Sequence, residues 1–341
     1  MPPLQQAIRQ LAMGGSLSEP QAREAFGTVM RGEATPAQVA ALLVGLRVKG
    51  ETADEVAGAA DALRGAMVRL PAERPDLLVD TCGTGGGSLG TFNISTAAAL
   101  LAAGLGVRIA KHGNRSFTSQ CGSADVLEAL GVPIEVSVEV MERALRDAGI
   151  VFMYAPLMHP AMRHVGSVRR ELAIPTVMNI VGPLANPASA GRQVVGVADP
   201  ARVPLIAGAL QALGAVHAMV VHGAPGMDEV SPLGRTDVIE IRDGRVREWS
   251  IDPAELGFPV GRAEELAGGP PAENAAAVLA VLRNDAAPTA ISAVVLNAAA
   301  ALHVSDCGPT DFADAVEAAR EGLRNGAGVT ALERLRAAYS L

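Results

Sequence analysis

The sequence predicts an α/β protein: a small all-helical domain followed by a larger α/β domain with a central, mostly parallel sheet. Three observations support this fold class. Residues 1 to about 70 show only helical patterns, short apolar runs alternate with helical patterns from residue 77 onward, and two glycine-rich loops directly follow such runs. Alternating strands and helices are typical of a parallel sheet covered by helices. We therefore expect domains at residues 1–70 and 76–341, with helices from about 159–175 joining the first.

Helix-start signals define the first domain. In a capping box, a hydroxyl caps the helix and the residue three positions later reaches back. Such pairs occur three times, at Ser18 and Gln21, Thr35 and Gln38, and Thr52 and Glu55. Gly32 and Gly50 are placed to end the preceding helices.

The second domain should contain the strands. Apolar runs predict strands at residues 77–79, 107–110, 150–154, 176–181, 193–197 and 217–222. A hairpin is predicted from 237–241 and 246–251, because Asp243-Gly244 between them is a strong turn signal. The chain from residue 273 onward returns to helical patterns. In parallel sheets, ligands bind beyond the carboxyl ends of the strands, so loops that follow strands should share one crevice.

Composition narrows the class of protein. The net charge of -8 argues against nucleic-acid binding, which needs a basic face. The longest apolar stretch, residues 97–107, is too short to span a membrane, and the amino terminus does not resemble a signal peptide. Three scattered cysteines fit a reducing compartment better than a disulfide framework. We expect a cytoplasmic protein that binds neither membrane nor nucleic acid.

The first glycine-rich loop points to an anionic ligand. Five of the eight residues from 83 to 90 are glycine, between an apolar run and a helix rich in alanine and leucine. Glycine lets backbone N–H groups approach a phosphate, and the helix start adds free N–H groups and a positive dipole end. Asn93, Ser95 and Thr96 at the helix start could cap the helix, bind phosphate or ligate a hard cation.

The second loop, residues 111–125, combines cations, hydroxyl groups and glycines. Phosphate binding explains this composition beside another glycine loop, with Lys111 as a point charge. Arg115 could equally pair with a structural carboxylate such as Asp125. Ser123 could simply cap the next helix.

Two further tracts carry charge. Asp228 and Glu229 follow an apolar strand and suit Mg²⁺, although acidic pairs are also common on surfaces. Residues 159–172 contain three arginines, one of which could bind a carboxylate through two hydrogen bonds while others pair with groups such as Glu171. A rigid turn at 179–187 follows.

Together the four tracts, in this order, resemble the anthranilate phosphoribosyltransferase family. The matching segments are residues 83–86 with 91–96, 111–115 with 122–125, 169–172 with Asn179, 182–184 and 186–187, and the pair 228–229. The resemblance covers nearly the whole chain, including Gly268-Gly269 and residues 273–275. It implies the nucleoside phosphorylase/phosphoribosyltransferase-like fold, a homodimer formed through the helical domain, and Mg²⁺ as cofactor.

The resemblance also implies a set of ligand-binding residues. The substrates would be phosphoribosyl pyrophosphate and anthranilate. Phosphoribosyl pyrophosphate would contact Gly83, Gly86, Gly87, Thr91, Asn93, Ile94, Ser95, Thr96, Lys111, His112, Gly113, Asn114, Arg115, Ser116, Phe117, Thr118, Ser119 and Ser123. Anthranilate would contact Gly83, Asn114, His112, His159, Pro183 and Arg169, the last through its carboxylate. Magnesium would be held by Ser95, Asp228 and Glu229.

One departure and two rival functions accompany this resemblance. The family loop usually reads Gly-Thr-Gly-Gly-Asp-Gly, whereas this chain has Gly87-Ser88 in place of Asp-Gly, which removes a carboxylate near the metal. The implied reaction is a displacement at the anomeric carbon with inversion and without a strict general base. The rivals are a pyrimidine nucleoside phosphorylase and a non-catalytic nucleic-acid-binding relative. The acidic pair and Arg169 speak against the first, and the net charge and Arg169 against the second.

Overall fold

The computed structural model describes residues 1–87, 89–116 and 120–340. It confirms the predicted fold class of a small helical domain followed by a larger α/β domain. The helices are α1 Pro3–Ala12, α2 Glu19–Met30, α3 Pro36–Lys49, α4 Ala53–Gly65, α5 Ile94–Gly104, α6 Ser123–Ala129, α7 Val138–Asp147, α8 Ala155–Met158, α9 Arg163–Leu172, α10 Val203–Ala212, α11 Pro271–Leu282, α12 Pro288–Val304, α13 Phe312–Arg324 and α14 Ala327–Tyr339. The strands are β1 Val79–Gly83, β2 Ile109–Gly113, β3 Ile150–Tyr154, β4 Arg192–Gly196, β5 His217–Gly223, β6 Thr236–Arg242 and β7 Arg245–Ile251.

Capping starts the helices of the first domain as the sequence predicts. The hydroxyls of Thr35 and Thr52 accept hydrogen bonds from the backbone N–H groups three residues later. At α2, the side chain of Gln21 accepts the backbone N–H of Ser18. The later helix α9 packs against α2 and α3. The apolar core of these helices continues through α10 to one face of the sheet.

The sheet places the two glycine-rich loops at one edge. Its strand order is β3-β2-β1-β4-β5-β6-β7, with β3 to β5 parallel and the last two strands antiparallel. The chain runs from β1 outward to β3, then returns to the other side of β1 with β4. Strand order therefore reverses between β1 and β4, which opens a crevice at their carboxyl ends. The predicted hairpin is confirmed as β6 and β7.

One predicted strand is wrong. Residues 176–181 form no strand; Val177–Asn179 is a single 3-10 turn, and the Asn179 side chain accepts the backbone N–H of Thr176. The apolar side chains of this segment are buried in the core shared with the helical domain, so their burial does not require a sheet. The first strand was predicted at 77–79 but begins at Val79, because Pro75–Leu77 is a 3-10 turn. At its other end, β1 extends to Gly83 in the glycine loop.

The two outer strands of the sheet, β3 and β7, are protected from pairing with another strand in different ways. At the β3 edge, the Tyr339 hydroxyl accepts the backbone N–H of Phe152 at 3.0 Å and donates to its carbonyl at 2.8 Å. On the opposite outer strand, β7, the charged side chains of Arg245, Arg247 and Glu248 are exposed. Among the described residues, no helix is long and apolar enough to cross a membrane.

Candidate active site

The glycine loop folds tightly over the acidic pair. The Asp228 carboxylate accepts the backbone N–H of Gly85 at 2.9 Å. A Cβ atom at Gly83 would lie 2.6 Å from the same carboxylate, and one at Gly196, the end of β4, would overlap the Asp228 carbonyl. Glycine is therefore required at Gly196, where the Asp228 backbone fills the space, and a side chain at Gly83 would displace the Asp228 carboxylate. The crevice between β1 and β4 thus contains a carboxylate held by the Gly85 N–H group.

The start of α5 lies beside this carboxylate. Asn93 is the N-cap residue, but its side chain makes no capping hydrogen bond. It bonds instead to the carbonyl of Cys121, and it accepts a hydrogen bond from Asn274 at 2.9 Å. The N–H groups of this first turn already have partners: Ile94 donates to Phe92, Ser95 to Glu229, and Thr96 and Ala97 to the carbonyl of Asn93. The helix start therefore presents its positive dipole end and its side chains to the site.

Lys111 extends from β2 to the start of α5. It is a residue of β2 rather than of a loop, and its side chain is 3% exposed. Its ammonium group donates hydrogen bonds to the carbonyl of Thr81 and to the hydroxyl of Ser95, the latter at 3.2 Å. Burial lowers the pKa of Lys111, and the nearby charges of Asp80 and Glu229 oppose that effect. The cation is therefore built into the floor of the site.

Full ionisation of the acidic pair is unfavourable in its surroundings. Burial, followed by the charge of Asp228, raises the pKa of Glu229 to about 8, although Lys111 and the Ser95 N–H act against the shift. Burial also raises the pKa of Asp228. Two adjacent carboxylates and a hydroxyl are oxygen ligands of the kind that Mg²⁺ prefers. The donor set formed by Ser95, Asp228 and Glu229 fits a divalent hard cation.

Asp80 and Asn186 support the site and were not predicted as site residues. Asp80 is fully buried in β1, and its carboxylate accepts the Asn186 amide at 2.8 Å and the His112 backbone N–H at 3.2 Å. Burial raises the pKa of Asp80 to about 6, against the effect of Lys111. The only sequence signal was a carboxylate at the end of an apolar run. Together these groups fix the position of β2 next to β1.

His112 and His159 form an uncharged wall of the site. Their ring centroids are 4.9 Å apart. Burial lowers the pKa of His112 to about 3, with His159 adding to the shift, and burial lowers that of His159 to about 4. The ring of His112 also bonds to the carbonyl of Gly182, the first residue of the turn that contains Pro183. Both imidazoles are therefore neutral at physiological pH and offer an aromatic surface.

Arg169 is a cation that forms no salt bridge with any acidic side chain in the described part of the chain. It lies in the last turn of α9, and partial burial lowers the pKa of its guanidinium group. Among the described residues, no carboxylate forms a salt bridge with it, whereas Arg115, Arg202 and Arg235 all have such partners. A half-buried guanidinium without a counter-charge is suited to bind the carboxylate of a ligand.

The second loop has a structural component. Arg115 forms salt bridges with Asp125 and Glu128 and lies 5.8 Å from the ring of Tyr154. Asp125 also accepts the N–H groups of Ser116 and Gly122, and Gly122, not Ser123, is the N-cap residue of α6. The hydroxyl of Ser123 instead donates to the carbonyl of Asn114 at 3.4 Å, close to Gly113. Phe117, Thr118 and Ser119 lie outside the described residues.

Thr91, another of the predicted residues, lies where the glycine loop meets the last third of the chain. Thr91 forms an isolated antiparallel bridge with Ala267, and Phe92 donates its N–H to Leu266. Gly268 packs against the carbonyl of Thr91, so that a Cβ atom there would lie 2.5 Å away. Asn274 joins this segment to Asn93. The structure thus gathers the first loop, Lys111, the histidines and the acidic pair at one edge of the sheet.

Comparisons with known proteins identify the family. The glycosyl transferase family, a/b domain, matches residues 75–329, and its helical bundle domain matches residues 5–67. An anthranilate phosphoribosyltransferase of Roseiflexus castenholzii is 48% identical over 334 residues, which cover 98% of this chain and 97% of that protein. One from Anaeromyxobacter sp. (strain K) is 48% identical over 338 residues, 99% of each chain.

Solved structures agree with the sequence comparisons. Anthranilate phosphoribosyltransferase from Thermus thermophilus superposes with a TM-score of 0.92 at 40% identity, covering 98% of this chain and 99% of that one. The enzyme from Saccharomyces cerevisiae in complex with PRPP and Mg gives a TM-score of 0.88 at 27% identity, covering 99% and 98%. On this evidence the chain belongs to the anthranilate phosphoribosyltransferase family.

Proposed function

We propose that this chain transfers the 5-phosphoribosyl group from phosphoribosyl pyrophosphate to the amine of anthranilate, giving N-(5-phosphoribosyl)-anthranilate and pyrophosphate. This is the second step of tryptophan biosynthesis from chorismate. The observation that carries the proposal is the acidic pair enclosed by the glycine loop, beside the start of α5 and Lys111. This arrangement provides a site for a hard cation next to a site for an anion, as a metal diphosphate requires.

The residues divide into three proposed groups. The diphosphate and ribose phosphate would be held by residues of the two loops and the α5 start, namely Gly83, Gly86, Gly87, Thr91, Asn93, Ile94, Ser95, Thr96, residues 111–119 and Ser123. Ser95, Asp228 and Glu229 would hold Mg²⁺, which when bound supplies positive charge to the leaving diphosphate. Gly83, Asn114, His112, His159 and Pro183 would contact the anthranilate ring, and Arg169 its carboxylate. The yeast relative bound to PRPP and Mg supports the first two groups.

The proposed mechanism is a displacement at C1 of the ribose with inversion. The aromatic amine is neutral and already nucleophilic, so the reaction needs positioning and charge stabilisation more than proton removal. A pKa of about 3 makes His112 a weak base at neutral pH. We assign His112 and His159 to the substrate-binding surface, not to proton transfer.

We also propose that the chain is a homodimer formed through the helical domain, residues 1–70, and that it acts in the cytosol. Met13 and Val48 are large apolar side chains exposed at 81% each on that domain, which supports a covered surface there. Within the described part of the chain, no disulfide joins Cys82, Cys121 and Cys307, which fits a reducing compartment.

The test is a fluorescence assay of anthranilate consumption with phosphoribosyl pyrophosphate, titrated with Mg²⁺. We expect consumption that depends on Mg²⁺; no consumption at any Mg²⁺ concentration would reject the proposal. Phosphorolysis of uridine or thymidine would instead support the nucleoside phosphorylase, and salt-dependent DNA binding without turnover would support the non-catalytic relative.

The role of Arg169 can be tested with a neighbouring control. We expect Arg169→Gln to raise the KM for anthranilate roughly 10- to 100-fold, the effect of losing a hydrogen-bonded charge pair. Arg170→Gln, at the exposed next position, should leave that KM unchanged. Equal KM values for the two variants would remove Arg169 from the anthranilate site.

A further inference from the structure

A second polar cluster lies at the opposite edge of the sheet. His217, Glu240 and His303, here called the Glu240 cluster, are 2%, 6% and 7% exposed. His217 begins β5, six residues before the glycine that ends this strand at the candidate active site, so the two edges are about 20 Å apart. The phosphoribosyl-transfer site does not use this cluster.

The three side chains converge on one point. The Nε2 atoms of His217 and His303 lie 2.8 Å and 3.1 Å from the same oxygen, Oε1 of Glu240. These three atoms all lie within 4.8 Å of one another. Two imidazole nitrogens and one carboxylate oxygen form a ligand set that transition metals, and Zn²⁺ in particular, accept.

The surroundings orient these ligands. The indole N–H of Trp249 donates to Oε2 of Glu240 at 2.8 Å, which fixes the carboxylate and leaves Oε1 facing the histidines. Hydrogen bonds of this kind hold the ligands of metal sites in position. The Nδ1 atom of His303 is buried without a hydrogen-bond partner within the described part of the chain. Since the Glu240 carboxylate accepts at Nε2, the proton of this ring lies on Nε2 when no metal is bound.

We propose that the Glu240 cluster binds one divalent transition-metal ion of the Zn²⁺ type, which links the β5–β6 pair to α12. On binding, Nε2 of each neutral imidazole gives its lone pair to the metal, and the ring proton moves from Nε2 to Nδ1. The carboxylate contributes Oε1, and water completes the coordination.

The position of the cluster suits a structural ion. The rings of Trp249 and Phe312 lie 6.0 Å and 5.9 Å from that of His303 and separate the cluster from solvent. Nitrogen ligands also distinguish this site from the oxygen-only set of Ser95, Asp228 and Glu229, which favours Mg²⁺. The chain would therefore hold two different metals at opposite edges of one sheet.

The test measures zinc bound to the full-length protein after chelator treatment, re-equilibration with Zn²⁺ in excess Mg²⁺, and gel filtration. Excess Mg²⁺ occupies the oxygen site, so the remaining zinc reports the Glu240 cluster. We expect one zinc ion per chain, which Glu240→Gln and His303→Gln each lose. The control His222→Gln removes a histidine from the same strand and should keep the zinc. Equal zinc content in all variants would overturn the proposal.

A second measurement on the wild-type protein guards against variants that fail to fold. A crystal equilibrated with Zn²⁺ should show an anomalous difference peak between the two Nε2 atoms and Oε1. Absence of a peak at the cluster, with zinc found elsewhere or nowhere, would overturn the proposal independently of any substitution.

Discussion

Two edges of the sheet, one at the carboxyl ends and one at the amino ends of its parallel strands, shift the pKa of a buried carboxylate in opposite directions. At the candidate active site, burial raises the pKa of Glu229 to about 8, and a second carboxylate lies beside it. At the other edge, hydrogen bonds from His217 and His303 outweigh burial, so the pKa of Glu240 falls far below its usual range. The difference lies in the supply of donors: Glu240 has three ring N–H partners, while Glu229 shares one lysine with other acids. An edge short of positive charge is suited to receive it from a ligand.

The largest effect should come from removing the acid of Glu229 at the candidate active site, where few positive groups lie nearby. We expect Glu229→Gln to lower kcat/KM roughly 10²- to 10³-fold, because it removes an oriented charge that we propose as a metal ligand. The measurement is the steady-state assay with Mg²⁺ titration. Glu248→Gln, which removes a charge from the exposed strand β7, should be without effect. Activity within threefold of wild type in Glu229→Gln would contradict a metal role for this residue.

Neutralising the donor-rich edge should instead affect stability. Glu240→Gln leaves three N–H groups facing an amide that cannot accept all of them. We expect a loss of about 3 kcal/mol in the free energy of unfolding of the metal-free protein. Urea denaturation at pH 7 measures it, and Glu248→Gln again serves as the control. An unchanged unfolding midpoint would mean that the Glu240 cluster contributes nothing to folding.

The next largest effect should be a difference between Glu229 and Glu240 in how each contributes to the pH dependence of stability. The Glu229 pKa rises from 4.5 to about 8 on folding, so its stabilising contribution is complete below pH 4.5 and lost as the pH approaches 8. We expect the metal-free protein to lose about 2 kcal/mol between pH 5 and pH 8, a value reduced for partial exposure. Glu229→Gln should flatten this slope. Glu240→Gln should leave the slope unchanged, because the lowered pKa of Glu240 places its titration below pH 4.5. A steeper slope in Glu229→Gln would reverse the assignment.

The smallest effect should follow from restoring an acid to the glycine loop. A Cβ atom at Gly87 would lie 2.9 Å from the Asp228 carboxylate, so Gly87→Asp would place another carboxylate near the proposed metal. We expect the Mg²⁺ concentration for half-maximal activity to fall about fivefold, equivalent to about 1 kcal/mol. Gly90→Asp adds the same charge at a position with no atoms near its Cβ and should not change it. A higher Mg²⁺ requirement in Gly87→Asp would show that the lost acid does not help hold the metal.

Local patterns were sufficient for some parts of this structure and not for others. The glycine loop and the strand-helix alternation depend on neighbouring residues, so the sequence predicted them. Asp80 and Asn186 are 106 positions apart, and no local pattern links them. Lys111 was expected as a loop charge, but its partners Thr81 and Ser95 lie on other elements.

The wrong strand at 176–181 has a similar cause. Its apolar residues are buried, as a strand would be, but they are buried against the helical domain. Apolar runs indicate burial without specifying which neighbour provides it. The pairing of Arg115 with Asp125, an alternative from the sequence, is present in the structure, together with a contact to Glu128 that the sequence did not suggest.

Tyr339 has a consequence for the behaviour of the protein at high concentration. Its hydroxyl occupies the free N–H and C=O of Phe152 on strand β3. An unpaired strand edge is a template on which another chain can add by β-pairing, the first step towards aggregation. One side chain from α14 blocks that template at the centre of β3. The charges on β7 discourage the pairing of another chain with the opposite outer strand. The single phenol thereby helps to keep a seven-stranded sheet from growing into the sheet of its neighbour.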